Sequence, residues 1–421
     1  MLEQTLRRYQ NRAIEAAPEA LTHRFERNDL RRTICDWHGL EDEEGRCLEL
    51  LRTTTRGGVA PFLLISMAST RADQLACARR FAALKAAPEE MRVRSDPQRL
   101  AGARRIRIGY LSSDFHAHAT AMLLAEVLEA ADRDRFELFG YCYSEDDGSN
   151  LRRRVIDAFD HFTVVKSMTD RDAAAKIHDD GIDILVDLKG YTRDARTEIL
   201  GFRPAPIQVN YLGYPGTMGA DFIDYVIADS TIAPMEHQEH YAERIVHLPN
   251  CYQPNDRRRP ISDEPMTRAG FGLPEDAFVF CSFNNTYKIT PPVFDVWMRL
   301  LARVPRSVLW ILAGDEGCRS NLRKRAEERG IDPVRLVFAN KMPIEQHLAR
   351  HRLADLFLDT LPCNAHTTAS DALWAGLPVL TCIGETFSGR VAASLLSAMN
   401  LPELIAESLD DYERIALALT E

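Results

Sequence analysis

No C-x-x-C pair occurs among the nine cysteines of this 421-residue chain, which stand singly from Cys35 to Cys382 and are odd in number. That spacing argues against a disulfide framework or a structural zinc site and reads the thiols as reduced core residues. Long apolar runs are missing too. A membrane helix needs roughly 18 such residues, and the longest candidate, around Ala372–Ile383, is broken by Gly376 and Pro378. The start, Met1-Leu2-Glu3-Gln4, has no signal-peptide apolar stretch. These absences predict a cytoplasmic protein with no membrane partner. The arginine runs at 104–107, 152–154 and 257–259 lack the interleaved aromatics of a single-strand binder, and net charge is −10. No nucleic-acid partner is expected. What remains, 45% hydrophobic and 27% charged residues, is ordinary for a globular chain of two or three domains.

The pattern divides the chain. Residues 1–103 read as a helical N-terminal region, rich in Ala, Leu, Arg and Glu, with a fragment at Tyr9–Pro18 like the tail of a helical repeat. From residue 104 to 245 short β-branched strands alternate with helices, which predicts a parallel sheet with crossover helices. Residues 246–268, rich in Pro, Asn, Asp and Arg, read as a linker. The alternation restarts over 269–421, giving α/β architecture in two doubly wound, Rossmann-type lobes. Ligands of such sheets sit beyond the carboxyl ends of the strands.

The densest polar stretch follows the apolar run Leu356–Leu358 and reads Asp359-Thr360-Leu361-Pro362-Cys363-Asn364-Ala365-His366-Thr367-Thr368-Ala369-Ser370-Asp371. A helix starting at Thr367 offers unpaired N–H groups and the positive end of its dipole to an anion. His366, Thr367 and Thr368 add side-chain donors suited to a pyrophosphate, and Asp371, one turn on, can accept from a ribose hydroxyl. An ordinary N-cap is the bland alternative. Lys288 follows another strand and suits neutralisation of a diphosphate leaving group, against the alternative of a surface lysine in a turn. His116-Ala117-His118 lies between a strand end and a helix start, without a third metal ligand nearby in sequence. The Gly213–Gly219 loop, containing Gly216, permits close approach to a ligand or simply a tight turn. Two Asp-x-Asp triplets, Asp132-Arg133-Asp134 and Asp170-Arg171-Asp172, carry arginine between their acids, which opposes a divalent cation. No metal and no cofactor are therefore expected.

In order along the chain, Ile108–Phe115, Arg203–Gln208, Leu212–Thr217, Tyr287–Ile289, Leu358–Thr360, Cys363–Thr368, Asp371–Gly376 and Gly384–Thr386 resemble the protein O-GlcNAc transferase / SPINDLY family. The similarity extends from about Asp36 to the C-terminus, as in a bacterial-type homologue lacking the long TPR array. The resemblance implies a GT-B fold and an inverting, metal-independent transfer of a sugar to Ser/Thr of intracellular proteins. Lys288 looks like the family lysine that stabilises the departing diphosphate. Thr367 and Thr368 match phosphate-binding threonines, and His366 a residue near phosphate and sugar. Asp371 matches the ribose contact, His347 the histidine beside uracil, and Cys363 a cysteine near the N-acyl group. His118 aligns with the first-lobe histidine near sugar and acceptor. Asn285 stands where relatives have a glutamine beside the diphosphate. Ala119 replaces a proline, and Asp183 and Ile344 replace a histidine and a lysine. The stretches Cys363–Thr368 and Gly384–Thr386 point to UDP-GlcNAc as donor, with GDP-fucose transfer or a non-catalytic sugar-nucleotide-binding adaptor as alternatives. The resemblance also places a closing helix after Glu421.

Overall fold

The computed structural model describes residues 21–54, 58–93 and 105–421. The Tyr9–Pro18 fragment and the expected domain boundary at 103/104 lie outside the described residues. The described residues form two compact units, one of residues 58–62, 71–93 and 105–259, the other of residues 21–54, 63–70 and 260–421.

The first unit carries seven strands: β1 (Ile106–Ser112), β2 (Phe136–Cys142), β3 (His161–Val164), β4 (Ile184–Asp187), β5 (Ile207–Asn210), β6 (Tyr225–Ala228) and β7 (Arg244–His247). They pair in parallel throughout, in the order β3-β2-β1-β4-β5-β6-β7. Crossover helices cover the sheet because their starts are marked. Ser149 and Thr169 cap the Asn150–Asp157 and Asp170–Asp179 helices by accepting from the third backbone N–H of each. Close packing is built in at Gly140, where a Cβ would lie 2.7 Å from the Phe162 ring. Strand β7 runs through Val246 and His247, the first two residues of the segment read as linker. Four residues paired only to β6 and followed closely by Pro249 leave too short a pattern to separate from a loop.

The second unit has β8 (Phe278–Ser282), β9 (Ser307–Leu312), β10 (Leu336–Ala339), β11 (Leu356–Leu358), β12 (Val379–Cys382) and β13 (Ile405–Ala406), also all parallel, in the order β10-β9-β8-β11-β12-β13. Strands covered on both faces read as continuous apolar runs, as Leu356-Phe357-Leu358 does. Its core holds Phe280, Phe294, Trp297 and Leu309, all fully buried. Each such side chain contributes about 1.5–3 kcal/mol of burial.

The helical N-terminal region is shared out. Helices Leu21–Thr33 and Leu40–Thr53 belong to the second unit, and Arg71–Ala83 to the first. The physical reason is core completion: Ile34 and Cys35 pack into the second unit's core, and Trp37 meets Phe294 with ring centroids 5.4 Å apart. Thr286 Oγ1 donates to Thr33 O at 2.5 Å, and Asn321 Nδ2 to Ile34 O at 2.9 Å.

In both sheets the strand order reverses beside the first strand of the unit, between β1 and β4 and between β8 and β11. Loops leaving these neighbouring carboxyl ends diverge and open a crevice, the usual ligand position in an open α/β sheet.

Candidate functional site

In the second unit the two loops at the reversal are those after β8 and β11, which carry Lys288 and Asp359–Thr368. Lys288 ends a short 3-10 turn, Thr286–Lys288, and is only 7% exposed. Its Nζ donates to Asn364 O at 2.6 Å, three residues before the Thr367–Trp374 helix. Thr368 Oγ1 donates to Asn284 Oδ1 at 2.5 Å, and Asn284 Nδ2 donates to Thr360 Oγ1 at 2.9 Å and Asp359 Oδ1 at 3.2 Å. The lysine turn and the helix start are thus tied together by side chains more than 70 residues apart in sequence.

Asp359 is the hub. Its carboxylate accepts from Thr381 Oγ1 at 2.6 Å, Ala365 N at 2.6 Å and Thr360 N at 2.7 Å. Burial pushes its pKa up to about 6, against those hydrogen bonds and the Lys288 charge. A cis peptide joins Leu361 to Pro362 within the loop. Cys363 is fully buried beside the lysine, and burial raises its thiol.

His366 precedes the helix. Burial, then the Lys288 charge, lowers its pKa to about 3, so the ring is neutral. Its Nε2 lies 3.1 Å from Ser388 O, a pure acceptor, so that nitrogen carries the proton and Nδ1 is left as an acceptor. The sequence reading makes His366 a donor to pyrophosphate, but the ring's one N–H is engaged by Ser388. Thr367 and Thr368 open the helix, and Asp371 is buried one turn in. Asn285 is exposed and caps the lysine turn, its carbonyl accepting from Lys288 N at 3.0 Å. His347 packs by its ring against Phe283 and His351, at 5.5 and 4.7 Å between centroids. Buried Arg350 lies over the Phe283 ring, 4.4 Å from its centroid.

The first unit repeats the plan. The loop after β1 carries Asp114 and His118, and that after β4 carries Lys189. Lys189 Nζ pairs with both Asp114 oxygens at 2.8 and 3.0 Å, with both side chains buried. His118 caps the Ala119–Glu129 helix, its Nδ1 accepting from Thr120 N at 3.2 Å and standing 3.5 Å from Asp114 Oδ2. Burial lowers its pKa, opposed by Asp114. Asp187, at the end of β4, accepts from Lys189 N and Gly190 N, and burial raises it to about 6. Gly216 is buried in this unit. Its carbonyl accepts from Asn210 Nδ2 at 3.3 Å, and a Cβ there would press on the Tyr214 ring at 3.2 Å.

Sequence reasoning passed over Asn284, Thr381 and Lys189, and gave Asp114 and Asp359 no individual roles. A polar residue directly after a buried apolar strand is the available signal for Asn284 and Asp359. Both Asp-x-Asp triplets are engaged locally. Asp132 accepts from Asp134 N, Asp170 pairs with Arg196, and Asp172 bonds its helix cap Thr169. Among the described residues no group of three or more His, Cys, Asp or Glu is placed to hold a metal ion. Among the same residues no helix is long and apolar enough to cross a membrane.

Two all-parallel, doubly wound lobes with polar loops at each strand-order reversal define a GT-B fold. By overlap with a mutant of the Thermobaculum terrenum O-GlcNAc transferase, the TM-score is 0.82 at 29% identity, covering 98% of this chain and 79% of that one. The chain belongs to glycosyl transferase family 41, whose model matches residues 67–263 and 262–421. It is 40% identical over 328 residues to the probable UDP-N-acetylglucosamine--peptide N-acetylglucosaminyltransferase SEC of Arabidopsis thaliana, covering 76% of this chain and 34% of the relative. It is 32% identical to the UDP-N-acetylglucosamine--peptide N-acetylglucosaminyltransferase of Caenorhabditis elegans, over 78% of this chain and 38% of the relative. A SPINDLY protein of Petunia hybrida is 31% identical, over 75% and 34%. The chain spans about a third of the length of these curated relatives.

Proposed function

We propose that this chain transfers N-acetylglucosamine from UDP-N-acetylglucosamine to Ser/Thr hydroxyls of protein acceptors, inverting the anomeric carbon and using no metal ion. The observation that carries the reading is the Lys288 ammonium, buried and held 2.6 Å from Asn364 O, three residues before the Thr367 helix start. A fixed cation and a helix N-terminus together stabilise the charge a diphosphate gains as it leaves. The acceptor oxygen bonds to the anomeric carbon as the bond to the diphosphate breaks, and the hydroxyl proton passes to the departing diphosphate or to water. Thr367 binds phosphate, Thr368 does so through its helix-start N–H because its hydroxyl donates to Asn284 Oδ1, Asp371 binds the ribose, and His347 the base. Asn285, Cys363 and His366 line the diphosphate and sugar, His366 through its free Nδ1. For the first lobe, the proposal assigns Gly216 to the donor and His118 to the acceptor hydroxyl. The names carried by the family relatives support the donor and the peptide acceptor.

Two measurements test this. Lys288→Met should lower transfer to protein by about 10²–10³-fold, the cost of losing one charge-stabilising donor, while the thermal unfolding profile is kept. Substantial turnover by that variant sinks the role. Thermal shift with UDP-GlcNAc and GDP-fucose separately reads the donor. A response to GDP-fucose alone replaces the sugar named here, and donor binding without hydrolysis or transfer marks an adaptor.

A further inference from the structure

We propose that Cys35 and Cys318 are a hydroperoxide-sensitive thiol pair that closes into a disulfide and clamps the N-terminal helical segment onto the lysine-bearing lobe. The two residues are 283 apart in sequence, yet their sulfurs stand 3.6 Å apart, both side chains buried. Cys318 donates to Cys35 Sγ, and Cys35 donates in turn to Thr286 O at 3.8 Å, the first residue of the turn that ends in Lys288. A disulfide needs about 2.05 Å between sulfurs, so the closure is on the order of 1.5 Å.

Three further features fit. Cys35 follows the Leu21–Thr33 helix in the left-handed region, at φ 54°, where glycine is the unstrained choice. A side chain is kept there against that preference. Cys318 lies in the first turn of the 13-residue Glu316–Glu328 helix, its N–H bonded to the Asp315 cap, where the dipole favours a thiolate. Burial pushes the Cys35 thiol up. Finally, Cys35 stands in the wall of a cavity of about 310 Å³ shared with Asp36, Asn321 and Lys324, room enough for a small peroxide.

The chemistry balances with a hydroperoxide as oxidant. The first sulfur gives up an electron pair to the peroxide oxygen, forming a sulfenic acid and releasing an alcohol, or water from hydrogen peroxide. The second sulfur attacks it, the S–S bond forms and water leaves. In total two thiols lose two electrons and two protons. A dithiol reductant reverses the step by exchange.

The test treats the full chain with hydrogen peroxide, alkylates free thiols under denaturing conditions, and maps peptides by mass spectrometry. The expected product is one linked pair containing Cys35 and Cys318, lost after dithiothreitol. The unfolding midpoint of the oxidised protein should rise by at least ~2 °C, because a long loop is closed in the unfolded chain. Cys318→Ser should abolish both changes. Recovery of Cys35 and Cys318 as alkylated thiols when half-buried Cys251 is oxidised overturns the proposal, and the wild-type map decides even if the variant folds poorly. The consequence at Lys288 rests on the proposed donor site, and a several-fold change in UDP-GlcNAc affinity on oxidation is expected. A disulfide with unchanged affinity refutes that coupling, whereas no donor binding by the reduced protein refutes the donor site itself.

Discussion

Asp359→Asn separates burial of a charge from the hydrogen bonds it makes. The carboxylate accepts four bonds, from Thr360 N, Ala365 N, Thr381 Oγ1 and Asn284 Nδ2. An asparagine oxygen keeps those on Oδ1, and the Thr381 hydroxyl can turn to accept from the new amide. The pKa of Asp359 rises from 3.8 unfolded to about 6 folded. The sign follows directly. The folded state holds the proton more tightly, so stability is full below pH 4, is lost as pH rises through 6, and is lowest above 7. The span is on the order of 3 kcal/mol. The variant has no such titration, so its stability relative to wild type should climb by that amount between pH 4 and 8. All four tryptophans, Trp37, Trp297, Trp310 and Trp374, lie in the same unit as Asp359. Denaturant unfolding followed by tryptophan emission across pH therefore reads this unit alone. A difference that stays flat from pH 4 to 8 would refute the claim that burial dominates at Asp359.

In the first unit, Lys189→Met leaves the Asp114 carboxylate buried without its cation, which costs about 3–5 kcal/mol. Circular dichroism should show that unit melting early while the tryptophan transition stays in place. The His366 ring, lowered to about 3, should remain neutral with its proton on Nε2 down to pH 4 in ring-nitrogen NMR. Protonation near pH 6.5 would contradict the burial argument. Lys288→Met and Cys318→Ser complete the set, read by transfer to protein and by peptide mapping.

Much of the fold is legible locally. Leu356–Leu358 can be read as a strand because a covered parallel strand is a continuous apolar run between polar breaks. The Thr367–Trp374 helix is legible from its hydroxyl start and apolar continuation. The two-residue strand Ile405–Ala406 and the Leu409–Ala418 helix behind it went unread, since two residues carry no period. The site was half visible. Lys288, Thr367 and Thr368 stand out after strands, but nothing local shows that Asn284 bonds Thr368 or that Asp359 organises both loops.

The order of strands and helices, the polar loops after them and the family motifs were therefore written in the chain itself, because side-chain alternation and turn chemistry act between near neighbours. Tertiary structure alone decided that β8 lies beside β11, which brings Lys288 to Asn364 and Thr368 to Asn284, and that the loop after the Leu21–Thr33 helix sets Cys35 against Cys318. Those pairings depend on how whole elements pack, and no local pattern encodes the distance between residues 70 to 280 positions apart.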